Sequence, residues 1–88
     1  MTADDLPNLV RLLDRRNINF VALVTLRHAL ADLGLATRGE QDLLLRSARR
    51  AGLVSLAALE GRHGTTPQER AACIPDGETL LGFVMVRA

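Results

Sequence analysis

The chain has 88 residues, 48% of them hydrophobic and 24% charged, with a formal net charge of +1. This describes one small globular domain that buries roughly 63% of its unfolded surface, and it excludes both a disordered chain and a catalytic domain carried beside a regulatory one. No apolar run nears the ~18 residues needed to cross a bilayer, Met1-Thr-Ala-Asp-Asp lacks a leader's basic start, and a single cysteine, Cys73, excludes an internal disulfide. A soluble, cytoplasmic protein with no membrane contact is expected.

Asp4-Asp5-Leu6-Pro7 reads as a helix start, with Asp as cap and Pro in the first turn. Leu6, Leu9, Val10 and Leu13 then follow the spacing of an amphipathic helix that ends near Arg15-Arg16-Asn17, so residues 1–17 form an N-terminal helical segment. Ile18 to Val24 is β-branched and aromatic and suits a brief strand. Thr25 reads as the cap of a second helix over 26–33, closed by Gly34. Thr37-Arg38-Gly39-Glu40 is a capping box opening a third helix that runs to Ala51 and stops at Gly52. Its core stripe is Gln41, Leu44, Leu45, Ala48 and Ala51. Leu43, Arg46 and Arg50 lie opposite that stripe, flanked by Asp42, Ser47 and Arg49.

Leu53 to Leu59 and Thr79 to Val86 read as the two strands of one antiparallel hairpin, joined by a long connection. Within that connection Thr66-Pro67-Gln68-Glu69 is a second capping box, which predicts a short helix over 67–72, and Ile74-Pro75-Asp76-Gly77 carries turn chemistry. The last strand supplies Leu80, Leu81, Phe83, Val84, Met85 and Val86 to both of its faces, whereas a small sheet with one buried face should alternate. Either the first helix or another chain covers the second face, and a homodimer formed through this strand or the first helix is one expectation.

Helix, short strand, two helices and a hairpin is the element order of a winged helix-turn-helix. From about Ile18 to Arg87 the chain resembles that superfamily, most clearly over Leu26-Arg27-His28-Ala29-Leu30, Glu40-Gln41-Asp42 and Arg49 to Leu56. It looks like the small winged-helix modules of bacteria with GC-rich genomes. The resemblance implies an α+β domain spanning 1–88, with a helix-turn-helix over 26–51, a wing hairpin over 53–87, and a three-stranded sheet against three helices. It also implies the third helix and the wing as contact surfaces. Two departures stand out: Gln41 sits where such modules often carry an aromatic residue, and the connection from Glu60 to Glu78 is long for a wing.

All basic residues are arginine. A GC-rich genome accounts for that, yet guanidinium also suits bidentate contacts to phosphate. Arginines and acids balance three to three over residues 1–24, arginines lead five to three over 25–52, and acids lead four to three over 53–88. In the winged-helix reading Arg38, Arg46, Arg49 and Arg50 face duplex DNA from the third helix and Arg62 does so from the wing. The competing reading is a solvated face with an Asp42–Arg46 pair along one turn. Leu43, in the middle of that face, is open to three readings: core edge, protein contact or a thymine methyl. Leu43, Phe83 and Met85 are the candidate partner-binding residues.

His28, His63 and Cys73 show no metal-ligand spacing, and Ser47, Ser55 and Cys73 lack the context of a nucleophile, so neither a metal, a cofactor nor an enzyme activity is expected. The leading expectation is a dimeric DNA-binding regulator or accessory factor. The alternative is a non-catalytic protein-docking module within a larger assembly, favoured by near-neutral charge and Leu43. Four phosphate-neutralising arginines would make log K fall with log salt at a slope of about −3.6 per subunit.

Overall fold

The computed structural model describes residues 1–59 and 66–87. Arg62 and His63 lie outside the described residues. After a 3-10 turn over Ala3–Asp5 come α1 (Leu6–Leu13), β1 (Val21–Ala22), α2 (Leu23–Asp32), α3 (Arg38–Arg50), β2 (Val54–Ala58), α4 (Pro67–Ala72), β3 (Ile74–Asp76) and β4 (Thr79–Val86). The chain is α+β, with its helices against a small antiparallel sheet. No described helix is long and apolar enough to cross a membrane.

The sheet has four strands where the resemblance implied three. Its order is β1-β4-β2, and β3 lies along β4 as well. The Ile74-Pro75-Asp76 segment, expected as a turn, is strand β3, paired with β4 through Ile74↔Leu81 and Asp76↔Thr79. The turn itself is the two-residue Gly77-Glu78 loop, where Gly77 takes φ 64°, a conformation such hairpins reserve for glycine. Leu81, Phe83 and Val84 of β4 have strand partners on both sides.

A bulge explains the two-faced pattern of β4. Along β2 the register runs Val54↔Val86 to Ala57↔Phe83 and then jumps to Ala58↔Leu81, leaving Gly82 as an extra residue on β4. A bulge resets which side chains face inward. Val84 is therefore buried before it and Leu81 after it, three positions apart, both in the one core. Phe83 and Met85 are half-buried and not among the residues packed on that core.

One core serves the described residues. Leu6 and Val10 of α1, Leu23, Leu26 and Leu30 of α2, Leu45 and Ala48 of α3, Val54 and Val84 are its fully buried members. The first helix thus joins the common core. It also ends at Leu13, earlier than the expected Arg15-Arg16-Asn17 end. There the Asp14 carboxylate accepts the N–H groups of Ile18 and Asn19, drawing the chain into a turn through Asn17 and Asn19 at φ 55° and 56°. Asn19 then bonds Val86 through both its amide oxygen and its amide nitrogen, extending the β1 edge. The second helix begins at Leu23 with Ala22 at its cap position, ahead of the expected Thr25 cap, because Val21 and Leu23 both enter the core and the chain turns directly from strand to helix.

Gly82 is enclosed as well as bulged. A Cβ there would stand 2.9 Å from Leu59 Cβ and 3.3 Å from Cys73 Sγ. Gly82→Ala is expected to cost about 1–3 kcal/mol, as overpacking does, read as a shift in the urea midpoint. Gly39→Ala is the control: nothing lies within 4 Å of a Cβ there, and the substitution should be neutral or stabilising by up to about 1 kcal/mol.

Candidate nucleic-acid interface

The third helix is capped as the sequence predicts, with one difference. Thr37 Oγ1 accepts the Glu40 N–H at 3.2 Å, but the Glu40 carboxylate accepts the Thr37 hydroxyl at 2.7 Å in place of the cap amide. Gln41, Leu44, Leu45 and Ala48 are buried, whereas Ala51, expected in that stripe, is exposed because the helix ends at Arg50 and Ala51 begins its exit turn. Leu43, Arg46, Ser47 and Arg50 face solvent.

The arginines divide into two sets. Arg46 and Arg50, one turn apart, are exposed and have no hydrogen bond or ion pair among the described residues. The expected Asp42–Arg46 pair is absent because Asp42 faces the other way: its Oδ1 takes Arg27 Nη2 at 2.7 Å, and its Oδ2 lies 3.8 Å from Arg38 Nε. Arg49 sits between the two sets, its Nη2 3.7 Å from Asp76 on β3. That pair is half exposed and worth at most about 1 kcal/mol, so a phosphate can displace it.

Arg38 is half exposed but tied to the fold. Its Nη1 donates to the Ala71 carbonyl and its Nη2 to the Cys73 carbonyl, which removes it from the outward-pointing group that the sequence reading gave it. Arg27, which that reading did not single out, is the hub. Nε donates to Ala72 O at 2.7 Å, Nη1 to Gln41 Oε1 at 3.0 Å, and Nη2 to Asp42. Gln41 in turn donates to the carbonyls of Leu35 (2.8 Å) and Arg27 (3.3 Å). A helix leaves its last carbonyls without intrahelical partners, and here two guanidiniums from α2 and α3 satisfy those at the end of α4. The signal in the sequence was Gln41 itself, since an amide on a buried stripe needs polar neighbours.

Leu43 is 69% exposed, which rules out the core edge. It lines a cleft of about 320 Å³ with Met1, Ala3, Leu35 and Leu44. Phe83 lies elsewhere, stacked on Phe20 with ring centroids 4.3 Å apart, and Met85 pairs in register with Ser55. The three candidate partner residues therefore do not converge on one cleft. Cys73 is buried beside α4 with its thiol 3.2 Å from the Glu69 carbonyl, and burial pushes its pKa above the ordinary value despite Arg27 and Arg38 nearby. His28 is exposed, and among the described residues no three His, Cys, Asp or Glu side chains gather as metal ligands.

Arg27→Met removes a guanidinium and leaves Ala72 O, Gln41 and Asp42 short of donors. The expected loss is about 2–4 kcal/mol by urea unfolding, with the amides of α4 losing hydrogen-exchange protection first. Arg46→Ala, on the exposed face, should stay within about 0.5 kcal/mol of the parent.

No family model, no curated protein and no solved structure matches this chain. The functional reading therefore rests on the chemistry of its own surface.

Proposed function

We propose that the chain is a winged-helix DNA-binding protein, a small transcriptional regulator or DNA-associated accessory factor, whose α3 enters the major groove. The element order and the pairing of both β1 and β2 with β4 support this reading, with α4 and β3 standing as an insertion in the wing connection. The observation that carries it is the Arg46–Arg50 pair: two guanidiniums with no partner among the described residues, on the outward face of a helix whose other face is buried. At successive turns they reach a guanine edge or a phosphate, Ser47 adds a hydroxyl between them, and Leu43 meets a thymine methyl. Arg49 contributes by exchanging Asp76 for phosphate, and Arg62 would add a contact from the wing. In the dimeric form of the proposal two α3 helices lie in successive major grooves about 34 Å apart.

A protein-docking module is the second reading. The 69% exposure of Leu43 favours it, because burying that side chain against a partner would contribute roughly 2 kcal/mol.

With Arg38 committed internally, the expected salt dependence is shallower than four arginines would give. Arg46 and Arg50 alone set a slope of about −1.8 per subunit, and Arg49 brings it to about −2.7. Fluorescence anisotropy on a labelled duplex between about 50 and about 200 mM salt measures this slope. Arg46→Ala with Arg50→Ala should abolish binding, whereas Arg38→Ala should act through stability. A parent protein that fails to bind duplex even at low salt contradicts the DNA reading. Under docking, Leu43→Asp abolishes partner association and leaves the fold intact.

A further inference from the structure

The α4–β3 insertion has no part in the winged-helix reading, yet its contacts fall on arginines. The stretch from Ala71 to Asp76 holds Arg27 through the Ala72 carbonyl, Arg38 through the Ala71 and Cys73 carbonyls, and Arg49 through the Asp76 carboxylate at 3.7 Å. Arg38 and Arg49 stand at the two ends of α3. At 100° per residue they lie within about 20° of each other around its axis. The stretch therefore runs as a strap along one flank of α3, beside the strip that carries Arg46 and Arg50. Cys73 and Ile74 are buried and β3 is paired with β4, which fixes the strap to the sheet.

The strap holds its arginines in two ways. The carbonyls around Cys73 take Arg38 beside the Arg27 network, so that hold belongs to the fold. Asp76 is different. Its side chain is 58% exposed, makes no hydrogen bond among the described residues, and has its one ion pair there with Arg49. The core does not need this carboxylate, which places a negative charge at the edge of the positive face. A phosphate that takes Arg49 must displace it and leave it unpaired next to a like charge. In the parent protein Arg49 therefore adds less than a full phosphate contact.

We propose that Asp76 is an autoinhibitory acid, presented to Arg49 by the strap so as to hold down the affinity of α3 for duplex DNA. The inference rests on the DNA reading and gives the α4–β3 insertion a role in it. Phosphate attraction is blind to sequence, and a strap that limits the free cations of α3 to Arg46 and Arg50 raises the relative weight of base contacts.

The test is fluorescence anisotropy of the whole chain on a labelled random duplex between about 50 and about 200 mM salt. Asp76→Asn keeps the side-chain shape at an exposed position and frees Arg49. It should tighten binding about fivefold at about 100 mM salt and steepen the slope of log K against log salt by up to about 0.9 per subunit, the increment of one phosphate contact. In an Arg49→Ala background the same substitution should gain less than about twofold. Glu78→Gln removes another exposed acid, one with no ion pair among the described residues. As the charge-matched control it should also stay within about twofold. Unchanged or weaker binding by Asp76→Asn overturns the proposal, as does a gain that survives Arg49→Ala or an equal gain from Glu78→Gln. Parent binding that Arg46→Ala with Arg50→Ala abolishes keeps the DNA reading standing where this inference fails. No binding by either the parent or Asp76→Asn overturns both.

Discussion

Arg27 reaches from α2 to three places at once: the Ala72 carbonyl at the end of α4, the Gln41 amide and the Asp42 carboxylate of α3. Its side chain is only 11% exposed and that of Asp42 23%, so little water competes for these bonds and each is worth more than its surface counterpart. Arg38 adds a second tie, from α3 to the Ala71 and Cys73 carbonyls at the end of α4. Remove the Arg27 guanidinium, and a buried carbonyl, a buried amide and a half-buried carboxylate all lose a donor together. Buried polar side chains in the described residues are fully satisfied, and this network is the main reason.

The same network decides what the surface of α3 can do. By drawing Asp42 and Arg38 inward it removes the one acid within a turn of Arg46 and the arginine at the start of the helix. The outer face is left with Arg46 and Arg50 and without an acid between them. Salt bridges along an exposed helix are worth only about 0.3–0.5 kcal/mol. Yet their absence here matters, since an arginine without an internal partner meets phosphate with nothing to displace. The anchoring of the fold and the shaping of its binding face are thus one event.

Local chemistry was legible in the sequence and long-range geometry was not. The caps at Thr37 and Thr66, the buried run Gln41, Leu44, Leu45 and Ala48, and strand Thr79–Val86 follow from spacing and side-chain type alone. The role of Arg27 depends on a carbonyl 45 positions away, and the Asn19 bridge on a strand 67 positions away, distances at which no periodicity carries information. The apolar excess on β4 was visible, but its cause, a bulge at Gly82, is fixed by pairing with β2 and by the space between Leu59 and Cys73. Leu43 faced outward by phase, and only burial could distinguish exposure from a core edge.

The division of the arginines into an inward and an outward set can be read from the guanidinium groups themselves. Nitrogen-15 spectra of the arginine side chains should show Arg27 with restricted rotation and slow hydrogen exchange, and Arg46 and Arg50 with the averaged, fast-exchanging signals of solvated groups. Arg46 or Arg50 as protected as Arg27 would contradict the account.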